Sequence, residues 1–290
     1  MNGTNESDEA KVARLREQIP ATSAGIYLDT AYRGPLPAET AAAMRDADDW
    51  ELRVGRATEG REEDFDQRRA EARAVIAALI GADPDDIRLA LNLPATIAQN
   101  WRALDATLTA GAIQFDVASL DSDFAIVPGD RWLMGPEATG AIWVGPRPRA
   151  ADVEVPEVAL GRTQVLGLAR SVGWLEMYVG LPWIYTRTAA LLARLRSGLA
   201  AVEQVDLQPP DAMAAVVCFR LPAWPTEDLL TELRRRAFAI VGATPDGRSI
   251  RVSVAWFNTE EEIGRFASAV AEIARYTPET MPRRRTLEVL

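Results

Sequence analysis

From Ile26 onward the chain alternates two kinds of segment, and that alternation limits the architecture more than any other feature. Short apolar runs, Ile26-Tyr27-Leu28, Ile87-Arg88-Leu89-Ala90-Leu91, Asp123-Phe124-Ala125-Ile126-Val127, Gly140-Ala141-Ile142-Trp143-Val144, 214–221 and 250–254, have the length and composition of strands. Between them lie segments with apolar residues at helical spacing. The clearest is 62–80, where Phe65, Ala72, Val75, Ile76, Leu79 and Ile80 share a face and Gly81 follows as a cap. Strands alternating with helices predict an α/β fold.

The remaining segments are read the same way. Residues 1–11 read as a disordered leader, followed by a short helix carrying Val12, Leu15 and Ile19 that ends at Pro20. Pro37 opens a helix reaching about Trp50, because proline is tolerated in a first turn. Residues 94–104 are expected to be helical, 129–135 a glycine-containing turn, and 146–156 irregular. A long helical region over 164–202 is interrupted at Gly180-Leu181-Pro182. Helices at 226–239 and 259–275 alternate with the last two strands. The expected organisation is 1–25 leader and first helix, 26–203 large domain, 204–278 small α/β domain, and 279–290 tail.

Composition then restricts the chemistry. The 290 residues carry 32 basic and 42 acidic side chains, a net charge of −10, which disfavours nucleic acid as a partner. Histidine is absent, and Lys11 is the single lysine among the 32 basic residues. No imidazole base or histidine metal ligand is available. Cys218 is alone and sits in an apolar run, so an inert thiol is expected rather than a nucleophile or a metal site. The polar, acidic first ten residues lack a secretory pattern, and no apolar stretch has the length of a bilayer span. A cytoplasmic protein without a membrane partner is expected.

Three separated motifs carry a resemblance. Ile26-Tyr27-Leu28-Asp29-Thr30-Ala31 with Gly34-Pro35-Leu36-Pro37 resembles the opening of class V aminotransferase-like proteins, the fold-type I pyridoxal phosphate (PLP) branch of cysteine desulfurases, selenocysteine lyases and isopenicillin N epimerase-like proteins. The stretch 111–117 with Asp123-Phe124 and Arg131-Trp132-Leu133-Met134-Gly135-Pro136 resembles the segment bearing the cofactor lysine. Ile250-Arg251-Val252-Ser253 with Phe257-Asn258-Thr259-Glu260 resembles the carboxy-terminal domain. The resemblance implies a truncated PLP fold-type I, aspartate-aminotransferase-like large domain with a smaller α/β C-terminal domain.

The departures from that pattern bear on function. Where the family reads Gly-His-Lys-Trp-Leu-x-Gly-Pro, this chain reads Gly129-Asp130-Arg131-Trp132-Leu133-Met134-Gly135-Pro136. An arginine stays protonated and cannot be the imine-forming amine. The phosphate cradle becomes Asn92-Leu93-Pro94-Ala95-Thr96, losing two hydroxyls and one N–H. A long part of the large domain, with its ring-stacking histidine, is missing between Trp101 and Gly111, which implies a smaller sheet or one completed by a partner. Asp105 matches the aspartate that pairs with the pyridine nitrogen, and Arg251 the arginine that clamps a substrate carboxylate. Gly161-Arg162-Thr163-Gln164 resembles the segment that reaches the neighbouring subunit, implying a homodimer.

The resulting expectation is a degenerate relative with no cofactor, binding a small carboxylate-bearing molecule through Arg251, Arg131, Thr163 and Asn92. The acids, bases and charge-stabilising groups of a cofactor-independent cyclisation, isomerisation or elimination, of the kind found in natural-product biosynthesis, would be Arg131, Asp105, Asp29 and Tyr32. For Arg131 a structural ion pair with Asp130, Asp123 or Asp105 competes evenly, and for Asp105 a structural role, a cap or a salt bridge, is the stronger reading. Two rivals stand beside this: a non-catalytic subunit that regulates or completes a full-length paralogue, and PLP held without covalent linkage. Trp132, Trp143, Trp174, Trp183 and Tyr178 are expected in core and dimer interface, and Arg234-Arg235-Arg236 on a solvated face. Arg283-Arg284-Arg285 reads as tail charge.

Overall fold

A computed structural model describes residues 7–282. The tail arginines Arg283, Arg284 and Arg285 and the first six residues of the expected leader lie outside that range. In chain order the elements are α1 (Asp8–Arg16), β1 (Ile26–Tyr27), α2 (Ala38–Val54), α3 (Arg61–Ile80), β2 (Ile87–Arg88), α4 (Ala95–Ala98), β3 (Ala103–Asp105), β4 (Phe124–Pro128), β5 (Gly140–Val144), α5 (Pro146–Ala150), α6 (Arg162–Trp174), α7 (Leu181–Ala200), β6 (Asp206–Leu207), β7 (Val216–Arg220), α8 (Thr226–Ala237), β8 (Ala239–Ile240), β9 (Gly242–Ala243), β10 (Ile250–Ser253) and α9 (Glu260–Ile273).

The amino-terminal half of the fold is built on a four-stranded sheet of order β2-β5-β4-β3. Strand β5 runs antiparallel to both neighbours, and β3 runs parallel to β4 with Asp105 opposite Ile126. All five residues of β5 are buried, as a central strand covered on both faces requires. Helices α3 and α6 cover one face through Ile76, Ile80, Val165, Leu168 and Val172. The outer strand β3 is only three residues long and mostly exposed.

The carboxy-terminal half is an antiparallel sheet of order β6-β7-β10-β9, with Val217, Phe219, Ile250 and Val252 packed against α7, α8 and α9. Phe219 meets Phe266 of α9 edge to face. Helix α9 starts on a reciprocal cap, where Thr259 Oγ1 accepts from Glu262 N at 3.1 Å and Glu262 Oε2 accepts from Thr259 N at 3.0 Å. Early in the chain, Ile26 and Leu28 belong to this second core: β1 pairs in parallel with β8, and Asp29 bridges Ser253. The loop after β1 is thereby carried to the boundary between the two sheets.

Several expectations are corrected. The first helix begins at Asp8, inside the supposed leader, because Ser7 accepts from Ala10 N and two acids occupy the first turn. The helix expected over 94–104 is one turn of α4. Beyond it Asp123 accepts from Arg102 N at 2.9 Å and draws Ala103–Asp105 into the ladder beside β4. A helical turn, α5, interrupts the irregular 146–156. The break before α7 is a π-helical turn, Leu175–Val179, that leaves Met177 and Tyr178 exposed, so Tyr178 is not core. Arg236 is buried between Glu232 and Glu272 rather than solvated.

Candidate functional site

Three segments meet where the two halves join: the loop after β1, the loop between β4 and β5, and the face of β10 and β7 turned away from the helices. Their closeness is enforced by Gly34. Its N–H donates to Asp130 O at 2.8 Å, and a Cβ there would stand 1.9 Å from Arg131 O, so a side chain cannot be placed at this crossing. The β4–β5 loop is itself strained, with the non-glycine residues Met134 and Ala138 at φ 54° and 57°. Ser253 ties the first loop to β10 by accepting from Ala31 N and donating to Leu28 O.

On this framework Arg251 Nη2 donates to Asp29 Oδ1 at 3.0 Å, both side chains being largely buried at 13% and 16% exposure. Arg131 pairs with Asp130 at 3.4 Å, and Arg33 reaches the other oxygen of Asp130 at 3.2 Å and the exposed Glu137 at 3.9 Å. The guanidiniums of Arg131 and Arg33 lie 5.3 and 5.1 Å from the ring centroid of Tyr32, which is half exposed at the mouth. Arg131 Nε and Arg251 Nε are buried without a hydrogen-bond acceptor. Three guanidiniums thus face two buried carboxylates and the exposed Glu137, and Arg131 and Arg251 each keep a buried Nε donor without an acceptor.

The electrostatics carry the same mark. Burial pushes the Asp29 carboxyl above its ordinary value, and the hydrogen bond and charge of Arg251, with the charge of Arg131, only partly pull it back. Burial likewise lowers Arg131; Asp130 opposes this, while the like charges of Arg33 and Arg251 add to it. Tyr27 is raised by burial and then by the neighbouring Asp29 charge. Cys218 stands directly opposite Arg251 in the β7–β10 ladder. It is half-buried, and burial raises its thiol, so it stays protonated near neutrality as an inert thiol should.

Of the residues singled out by sequence, Arg131, Arg251, Asp29 and Tyr32 are brought together, and the competing ion pair of Arg131 resolves to Asp130. The other three are not part of the group. Asp105 is exposed at the end of β3 and accepts from Thr107 N at 2.9 Å, which is a cap. Thr163 donates to Asp48 of α2, joining two helices. Asn92 lies in the loop between β2 and α4, outside the group. Sequence reasoning missed Gly242, which pairs with Arg251 in the ladder; a Cβ there would stand 2.8 Å from Asp29 Oδ1. The signal was strand register, since residues directly opposite share a face.

A second arginine cluster lines a cleft of about 850 Å³ between α2, α3 and α6. Arg162 pairs with Asp64 at 2.7 Å, Arg61 with Glu51 at 2.8 Å and Glu62 at 2.9 Å, and Arg68 with Asp64 at 3.2 Å and Glu71 at 2.8 Å. Arg56 also pairs with Glu51 at 3.1 Å and Arg170 with Glu39 at 2.7 Å, so five arginines here meet five acids. Among the described residues no group of three or more Cys, Asp and Glu is arranged to hold a metal ion, and no helix is long and apolar enough to cross a membrane.

Comparison with known proteins agrees on the fold. No family model matches the chain. A probable cysteine desulfurase of Xylella fastidiosa is 26% identical over 208 residues, 59% of this chain and 49% of that protein, so the match spans about half of the relative's length. Apo cysteine desulfurase from Thermococcus onnurineus NA1 superposes with a TM-score of 0.75 at 16% identity, covering 95% of this chain and 100% of that one. The cystine C–S lyase C-DES, solved with its product cysteine persulfide, gives 0.75 at 15% identity over 90% and 100% of the two chains. The cysteine desulfurase CsdA of Escherichia coli gives 0.68 at 17% identity over 93% and 98%. The chain therefore has the cysteine desulfurase-like, class V aminotransferase fold.

Pyridoxal phosphate, which that fold implies, does not fit the residues present. The position that the sequence resemblance assigns to the cofactor lysine holds the Arg131 guanidinium, and the single lysine, Lys11, donates from Nζ to Val179 O at 2.7 Å and lies over the Trp183 ring. Helix α4 is four residues long, follows Pro94 and has no side-chain cap. The carboxylate of Asp105 is committed to its own turn.

Proposed function

We propose that this chain binds a small carboxylate-bearing molecule at Arg251 and Arg131 and acts on it without an imine-linked cofactor. The observation that carries the reading is the convergence at the junction of the two sheets of Arg131 and Arg251, each with a buried Nε that has no acceptor, around Asp29, whose carboxyl burial raises. An additional carboxylate would supply the acceptor those donors lack, and a guanidinium is suited to hold it by two parallel hydrogen bonds. Arg251 clamps the carboxylate, Arg131 neutralises it from the opposite loop, and Asp29 is the group placed to exchange a proton with the bound molecule. Tyr32 closes the exposed side. Proton transfer of this kind supports isomerisation, cyclisation or elimination of the ligand.

Two measurements test the reading. Pyruvate is expected to raise the melting temperature of the wild type and to leave Arg251→Met unchanged; equal effects on both contradict it. Incubation with pyridoxal phosphate followed by borohydride reduction is expected to leave the mass of residues 7–282 unchanged, and a reduced adduct there contradicts it.

A second reading concerns assembly. Exposed Leu52, Val54, Met177 and Tyr178 around the α2–α3–α6 cleft support pairing with another copy of the chain. The short, exposed edge strand β3 supports instead a role in which a longer relative completes the sheet. Light scattering of the isolated chain decides between them: a soluble dimer favours the first, and recovery only with a longer relative favours the second.

A further inference from the structure

The bond that holds Arg251 also fills the place where its ligand would sit, and the consequences of that depend on the seat described under the proposed function. We propose that Asp29 is an internal carboxylate occupying the anion seat of Arg251, and that an external carboxylate displaces it only as Asp29 takes up a proton from solvent.

The geometry is specific. Asp29 Oδ1 accepts from Arg251 Nη2 at 3.0 Å, while Arg251 Nε is buried without an acceptor, so the guanidinium has one donor engaged and one edge unsatisfied. Behind the carboxylate lies β9, whose Gly242 leaves room for it: a Cβ at that position would stand 2.8 and 2.9 Å from its two oxygens. Asp29 is thus lodged between the strand and Arg251. The charged and titratable groups facing it are Arg251 from β10, Arg131 from the β4–β5 loop, Tyr27 from β1 and, beside Arg251, Cys218 from β7. None of these is another acid that could share the cost of a second negative charge near neutrality.

A ligand carboxylate approaching Arg251 meets Asp29 on the Nη2 side and stands against it until Asp29 gives way. Two carboxylates crowded on one guanidinium do not both remain ionised at low cost; the more buried one takes up a proton. The upward displacement that burial already imposes on Asp29 acts in the same direction. Binding then adds one anion and one proton together, and the charge of the pocket is unchanged.

The experiment is calorimetric titration of pyruvate, whose own carboxyl stays ionised throughout, into the wild type, Asp29→Asn and Arg251→Met. Runs span about pH 5 to about pH 8, in buffers of different protonation heat. One coupled proton makes the wild-type affinity fall up to about tenfold per pH unit as pH rises, and the buffer dependence counts about one proton taken up. The proton count uses the wild type alone and needs no variant to fold. Asp29→Asn is expected to bind at least about tenfold more tightly at the alkaline end, with no pH slope, since the competing charge is gone. If wild type and Asp29→Asn bind equally with no proton uptake, and Arg251→Met does not bind, the seat stands and the coupling is overturned. If Arg251→Met binds as well as the wild type, or none of the three binds, the seat itself is wrong and the coupling falls with it.

Discussion

The two arginine clusters of this molecule use the same side chains to opposite ends. In the cleft of α2, α3 and α6, burial pushes Asp64 up, yet Arg162 and Arg68 outweigh it and hold the carboxyl below its ordinary value. Arg61 is raised, first by its hydrogen bond to Glu51, and Arg68, first by its bond to Glu71. Every shift there favours the charged form. At the junction of the sheets both shifts run the other way, with Asp29 raised and Arg131 lowered. Unpartnered guanidinium nitrogens do not separate the two regions, because Arg61 Nε, Arg68 Nε and Arg162 Nη1 lack acceptors as well. The direction of the shifts does: in the cleft the charged forms are favoured throughout, as in a closed structural network, and at the junction they are disfavoured, as in a place that can take a ligand. The cleft of α2, α3 and α6 is therefore not the better candidate site.

The comparison can be broken most forcefully at its two anchors. Arg251→Met strands Asp29 in a buried pocket; it should cost about 3 kcal/mol at neutral pH and abolish pyruvate binding. Because Asp29 then protonates, the stability cost should shrink on acidification, which urea unfolding at several pH values would show. Arg162→Met should cost about 2 kcal/mol by the loss of the Asp64 pair and leave pyruvate binding intact. Were it to remove binding, the assignment of the cleft as structural would be wrong.

Smaller effects sharpen the contrast. The sign of the pH dependence differs between the regions. Asp64, held below 3.8, stabilises the fold above that pH and loses the contribution as pH falls through its folded value. Asp29, held above 3.8, favours folding below that pH and loses the contribution as pH rises through its folded value. Unfolding curves of Asp64→Asn and Asp29→Asn against pH should therefore deviate from the wild type in opposite senses. Gly242→Ala should cost about 1 kcal/mol, since the Asp29 carboxylate must shift, and it should alter pyruvate affinity as well. Thr163→Val should cost about 1 kcal/mol through the lost contact with Asp48 and leave affinity unchanged, as thermal unfolding and calorimetry would record.

Much of this was legible in the chain, and the remainder was not for identifiable reasons. The period of 62–80 and the short apolar runs specify α3 and the strands β1, β2, β4, β5, β7 and β10, because burial dictates which positions are apolar. The turn from Asp29 to Gly34 and the arginine at 131 were readable as motifs, and the fold brings them together. Residues 94–104 misled because a strand of three residues is decided by its neighbour β4 rather than by its own pattern. Asp105 and Thr163 were carried in by resemblance alone; Asp105 caps its own turn and Thr163 bonds across to Asp48 of α2. Gly242 has no side chain to announce a role; only its register beside Arg251 reveals one.

The contrast between the two clusters rests on which way two aspartates are displaced, and carbon-13 NMR of the side-chain carboxyls reads that directly. Titration of the wild type, with Asp29 and Asp64 assigned through their asparagine variants, should place Asp29 above 3.8 and Asp64 below it. An Asp29 that titrates at or below 3.8, alongside Asp64, would mean that its pairing with Arg251 is a satisfied structural bridge and that the junction holds no seat for an anion.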